Sequence, residues 1–235
     1  MFKRIRKTDH KCRQAFTLVE LIIVLVILAV LAAMIVPALV GYIKKSKEAQ
    51  SMEAAEAYRV AIQAVASEYY GVNGTAVVGT TDGTQCPNLR WDDNPKMKNT
   101  DVDKAWGLKV LNLVGADRST EPYILVFGVA RENDQGINLN QVVYVGYLLD
   151  QKSPSLFYVN GKWSNVYPKD SGDVVKETDK KDGKLKNFLK LPNGKKVHIQ
   201  LFVVSNRTKT MNNIWITSSG GKDTLQGHSA GHYGY

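Results

Sequence analysis

Residues 13–30 read RQAFTLVELIIVLVILAV, a polar and basic stretch running into an apolar one with a single carboxylate, Glu20, inside it. A carboxylate at the centre of a hydrocarbon layer costs about 2.5–3.5 kcal/mol on insertion scales. A segment that enters a membrane therefore needs a reason to carry one. Downstream of Glu20, residues 21–36 are sixteen consecutive apolar residues, and residues 16–40 make about 25 with few interruptions. At 1.5 Å per residue such a helix covers roughly 37 Å, enough for a ~30 Å hydrocarbon core with tilt.

Upstream, Lys3, Arg4, Arg6, Lys7, Lys11 and Arg13 stand against Asp9, so residues 1–15 hold +5 of the net +9. The remaining +4 over 220 residues is ordinary, which makes the basic balance a topology signal rather than a nucleic-acid one. By the positive-inside rule the leader stays cytoplasmic and the C-terminal bulk lies outside. Lys44, Lys45 and Lys47 weaken that asymmetry without reversing it.

Two readings of the apolar segment compete: a retained anchor, and a secretory signal discarded after Ala32. Glu20 is a poor choice inside a secretory signal, and the helical pattern does not end at Ala32. It runs on through KKSKEAQSMEAAEAYRVAIQAVASEYYG (44–71), rich in Ala, Glu, Gln and Lys and free of Pro and Gly before Gly71. Met52, Ala55, Tyr58, Ile62, Val65 and Tyr69 recur at spacings of 3 and 4, one apolar stripe on a polar helix. The pattern predicts one helix over 16–70, stopped by Gly71. Pro37 and Gly41 are expected to kink or soften it where the membrane half (16–40) meets the amphipathic half (41–71).

The string Ala15-Phe16-Thr17-Leu18-Val19-Glu20, followed by the apolar run, resembles the class III signal of type IV pilins and pseudopilins. The resemblance implies that a membrane-embedded prepilin peptidase cuts between Ala15 and Phe16, removes the basic leader and N-methylates Phe16. The apolar helix is then kept, first as a membrane span and later as filament core. Pro37 matches the family's helix-softening proline, and Glu20 becomes the fifth residue of the mature chain. The residue before the cut is usually Gly in the family; here it is Ala15, still small. Other implied partners are further pilin subunits and an assembly platform driven by a cytoplasmic ATPase. The implied location is the cytoplasmic membrane, single-pass with the C-terminal domain outside, then an extracellular pilus.

On this reading Glu20 has a purpose. Cutting before Phe16 creates an α-amino group, ordinarily titrating near 7.7–8.0. A carboxylate on a neighbouring subunit neutralises it, and each charge is costly without the other. The alternative is local: Glu20 snorkels from the first turn and complements its own helix N-terminus.

Beyond Gly71 the composition changes. Residues 71–100 are rich in Gly, Thr, Asn and Asp, a loop signature. TDVDKAWGLKVLNLVG predicts a short helix over about 101–114, capped by Thr100 or Asp101, with Ala105, Leu108 and Leu111 facing inward. Strand signals follow at YILVFGVA (123–130) and QVVYVGYLL (141–149), then in hairpins around Asn160-Gly161 and Pro192-Asn193-Gly194, then at NNIWITS (212–218). Strands in series without helices between them point to an antiparallel sheet, whose face would receive the stripe of the long helix. The fold class expected is α+β and pilin-like, the globular sheet domain spanning 72–235 with a tail from about 219.

No catalytic constellation emerges, so a structural subunit rather than an enzyme is expected, with no cofactor and no metal site. Gly227-His228-Ser229-Ala230-Gly231 matches G-x-S-x-G, but only four residues follow it and no strand or helix frames it. His228 and His232 lie four apart in a Gly-rich segment, and Asp92, Asp93, Asp101, Asp103, Asp170 and Asp173 lack the spacing of a calcium loop. With Cys12 in the leader, Cys86 has no intramolecular partner, which fits export across a Gram-positive envelope. Residues 176–196 hold eight lysines. They suit a strand edge protected against pairing, and without arginine or interleaved aromatics they make nucleic acid a weak expectation. The reading from another class is a single-pass anchored binding module that never polymerises.

Overall fold

The computed structural model describes residues 16–74, 101–116, 120–166, 168, 174–178, 180, 183 and 185–206. Among these described residues two helices and seven strands follow in order. They are α1 (Leu18–Asn73), α2 (Asp101–Leu113), β1 (Ile124–Ala130), β2 (Val142–Leu148), β3 (Leu156–Val159), β4 (Lys162–Ser164), β5 (Val174–Thr178), β6 (Leu185–Lys190) and β7 (Lys196–Asn206). The chain divides into two compact units at Lys47/Glu48. The α+β, pilin-like arrangement of a long apolar N-terminal helix and an antiparallel curled sheet is present.

In the first unit the apolar half of α1 exposes its side chains all round, Leu25 at 56% and Ile35 at 60%. It is long and apolar enough to cross a membrane. Helical structure passes Pro37 and Gly41 without a break. Pro37 has no N–H for the Ala33 carbonyl, so the ladder lacks one bond there.

The end of α1 corrects the expected stop. Gly71 stays helical, since one internal Gly costs only about 1 kcal/mol against Ala. Termination needs a left-handed residue that closes the last turn, and Gly74 supplies it. Its φ is 65°, and its N–H donates to the Tyr70 carbonyl at 2.8 Å.

The second unit, called the head below, is built on one seven-stranded sheet in the order β4-β3-β2-β1-β7-β6-β5, antiparallel throughout. β1 is central, paired with β2 and β7. The β3–β4 turn has positive φ at Asn160 (40°) and Gly161 (96°), as its type I′ expectation requires. β5 is a strand beyond those expected: VVKET has only two apolar residues, and it overlaps the start of the lysine-rich run at Lys176. NNIWITS and the C-terminal tail lie outside the described residues.

Both faces of the sheet are packed, which is why β1 and β2 are buried at every position and show no polar alternation. One face, with Phe127, Tyr147 and Phe202, receives the α1 stripe of Ala55, Tyr58, Ile62 and Val65. Met52 and Tyr69, the ends of the expected stripe, are partly buried against it. The other face gathers Ile124, Val126, Tyr144, Phe157, Ile199 and Leu201. Each such side chain, fully buried, contributes roughly 1.5–3 kcal/mol.

α2 turns a different face inward from the one expected. Trp106, Val110 and Leu111 are buried, whereas Ala105 and Leu108 are exposed. The Trp106 ring decides the rotation, stacking 6.0 Å from Phe202 and meeting Tyr69 edge-on at 5.8 Å. Gln63 ties α1 to β2: its Oε1 accepts the Val142 N–H at 2.8 Å and its Nε2 donates to the Asn140 carbonyl at 3.3 Å.

Candidate functional site

The first turn of α1 carries the residues that the sequence singled out, and one that it did not. Phe16 precedes the helix and is 82% exposed. Thr17 caps the helix: its Oγ1 accepts the Glu20 N–H at 3.2 Å, and its carbonyl accepts the Leu21 N–H at 3.2 Å. In return, Glu20 Oε2 accepts the Thr17 backbone N–H at 2.9 Å and the Thr17 hydroxyl at 2.8 Å. This is a capping box, in which cap and third helical residue satisfy each other's orphan donors. Its sequence signature is Thr17-x-x-Glu20 at the edge of the apolar run, a role for Thr17 beyond those expected above.

Both bonds to the carboxylate fall on Oε2, and Oε1 has no hydrogen bond to a described residue. A carboxylate offers about four acceptor positions. Glu20 therefore starts its own helix and still has an oxygen to present to a cation. The local role that the sequence reading set against an intersubunit one is thus present, with both Thr17 donors on a single carboxylate oxygen. Ala15, on the other side of the expected cut, lies outside the described residues.

Residues 10–36 match the prokaryotic N-terminal methylation motif. The chain carries the class III signal of type IV pilins and pseudopilins. The match covers the end of the leader, Phe16, Glu20 and the apolar run up to Val36. A pilin-type signal of this kind implies processing by a prepilin peptidase and assembly with other pilin subunits. No curated protein and no solved structure matches the chain.

In the second unit a cleft of about 540 Å³ lies between α1 and the β3–β4 hairpin. Met52, Glu56, Arg59, Tyr158 and Trp163 line it. Glu56 is held there by both Arg59 and the Trp163 indole, bonds at 2.8 and 2.7 Å to the same oxygen, Oε2. The Arg59 bond chiefly holds its carboxyl below the usual carboxylate range. Arg59 in turn sits over the Tyr158 ring, 5.1 Å from its centre. These contacts fasten the hairpin to the helix.

The lysine-rich strands also differ from their sequence reading. Phe188 and His198 are cross-strand partners with ring centres 5.5 Å apart, and Lys190 pairs opposite Lys196. An aromatic pair is thus interleaved among these cations, contrary to the expectation. Lys196 is neutralised by Glu177 across 2.5 Å.

Among the described residues no group of three or more His, Cys, Asp and Glu could hold a metal. Cys86, Asp92, Asp93, Asp170, Asp173, His228, Ser229 and His232 lie outside the described residues, as do the side chains of Asp101 and Asp103.

Proposed function

We propose that this chain is a prepilin, a structural subunit of a type IV pilus or related filament and not an enzyme. The observation that carries the reading is the methylation-motif match over residues 10–36, seated on an apolar helix whose first turn is closed by Thr17 and Glu20. The leader is removed between Ala15 and Phe16, and the new amino group of Phe16 is methylated. The mature helix crosses the cytoplasmic membrane once, with the sheet domain outside. It then leaves the membrane and enters the filament core, where Glu20 Oε1 receives the Phe16 ammonium of a neighbouring copy. Each charge would be stranded in hydrocarbon without the other. Pro37 and Gly41 soften the helix for that transfer. An assembly platform and its cytoplasmic ATPase drive the step.

The test is direct. Mass spectrometry of the protein from cells with a prepilin peptidase should find Phe16 at the terminus, N-methylated, and sheared filaments should contain it. A terminus at Ala33 would establish a secretory signal instead. Correct processing with the chain confined to the membrane would identify an anchored module that does not polymerise.

A further inference from the structure

Asn-Gly occurs three times, at 73–74, 160–161 and 193–194. In this pair the backbone nitrogen after the asparagine reaches its side-chain amide carbon with no Cβ in the way and with a freely turning backbone. All six residues are exposed, so exposure does not rank them. Hydrogen bonding does.

At the end of α1, the Gly74 N–H donates to the Tyr70 carbonyl at 2.8 Å and Asn73 Nδ2 donates to the Tyr69 carbonyl at 3.0 Å. In the β6–β7 turn, the Gly194 N–H donates to the Leu191 carbonyl at 2.9 Å, while Asn193 Oδ1 accepts the Lys195 N–H at 3.0 Å. In both places nucleophile and electrophile are tied down. The β3–β4 turn is different. Its Asn160 N–H donates to the Val143 carbonyl at 2.9 Å, but among the described residues nothing accepts the Gly161 N–H or bonds the Asn160 side chain.

We propose that Asn160 is a site of spontaneous deamidation in the folded protein. Hydroxide removes the Gly161 amide proton, and that nitrogen attacks Asn160 Cγ. The bond from Gly161 N to Cγ forms, the Cγ–Nδ2 bond breaks, and Nδ2 takes a proton from water and leaves as ammonia. A five-membered succinimide remains, with no change in oxidation state. Water then opens the ring at either carbonyl, giving aspartate or isoaspartate at position 160. Isoaspartate adds a backbone methylene to a two-residue turn, on the hairpin whose Trp163 indole is bonded to Glu56.

The experiment incubates the full chain, in detergent micelles, in mildly alkaline buffer with and without denaturant, and maps peptides by mass spectrometry; Asn160→Asp supplies the standard. In the folded chain Asn160 should convert at least about tenfold faster than Asn73 and Asn193, equivalent to ~1.4 kcal/mol of barrier. One net backbone hydrogen bond is of that order. In denaturant the three rates should converge, and the product at 160 should contain isoaspartate. Three results would overturn the proposal. One is Asn73 or Asn193 keeping pace in the folded chain. Another is Asn160 surviving folded while it converts unfolded. The third is a product of aspartate alone, which is the mark of direct hydrolysis.

Discussion

Glu56 on α1 and Trp163 on β4 are 107 residues apart in sequence and 2.7 Å apart in space, the indole N–H donating to carboxylate Oε2. β4 is only three residues long and stands at the edge of the sheet, so its strand pairing alone gives it little hold. Trp163→Phe should therefore cost the head about 1 kcal/mol, the net value of one hydrogen bond to a partly exposed carboxylate. Thermal melts should show this as a drop of roughly 2–4 °C. Glu56→Ala should cost more than Trp163→Phe, because Arg59 loses its two Nε bonds at 3.0 and 2.8 Å as well. Equal melting temperatures for wild type and Trp163→Phe would mean that the cleft wall is held by packing alone.

His198 gives the head a pH dependence of defined sign. Burial pushes its pKa below the ordinary imidazole value of 6.5, with Lys186 and Arg131 adding to the shift and Glu132, 3.2 Å away, opposing it. The folded state binds the proton less well than the unfolded chain. The stability contributed is complete above the unfolded value and is lost as pH falls through the folded one. Urea midpoints should thus decline between about pH 7.5 and 5.5, a window above the carboxylate range. In His198→Gln the decline should be smaller. An identical slope in the variant would remove His198 as its source.

The long helix and most strands were legible because their signals are local. A stripe spaced at 3 and 4, and apolar runs ended by Asn-Gly turns, mark elements without reference to any partner. What stayed hidden depended on partners. Ala105, Leu108 and Leu111 are spaced more regularly than Trp106, Val110 and Leu111; the Phe202 and Tyr69 rings that meet Trp106 select the second set. Gly71 and Gly74 are equal as letters, and the Tyr70 carbonyl distinguishes them. At the site, Phe16, Glu20 and the apolar run were visible at once. The part played by Thr17 is a matter of hydrogen-bond geometry, and its trace in the sequence is the Thr-x-x-Glu spacing alone.

Gly128 is central to β1 and serves by what it lacks. A Cβ built there would lie 3.0 Å from Ile199 Cδ1 and 3.3 Å from Tyr144 Cβ. The Ile199 methyl can swing aside, but Tyr144 Cβ is fixed to a paired strand backbone. Gly128→Ala should destabilise the head by about 1–3 kcal/mol through overpacking. Gly128→Val should cost more and lower the yield of folded protein. Circular dichroism melts of Gly128→Ala that match wild type would show that this part of the core yields.

The last prediction separates the capping seen at Glu20 from the charge pairing proposed for it. Capping needs an acceptor at this position, which glutamine also provides in a capping box. Neutralising a neighbour's ammonium needs a negative charge. Glu20→Gln should therefore start the helix normally, insert with a smaller membrane penalty and be cleaved before Phe16, yet fail to enter filaments. Thr17→Ala does the reverse. It removes the hydroxyl that accepts the Glu20 N–H at 3.2 Å and donates to Oε2 at 2.8 Å, while leaving the carboxylate. That loss should fray the first turn by about 1 kcal/mol, and filaments should still form, at reduced yield. Glu20→Ala loses both duties and should be cleaved but absent from shear fractions. Glu20→Asp keeps the charge on a shorter arm and should assemble in part. Filaments from Glu20→Gln as the sole copy, with none from Thr17→Ala, would reverse the assignment. Glu20 would then act in the monomer, as a cap, and the Phe16 amine would need another partner.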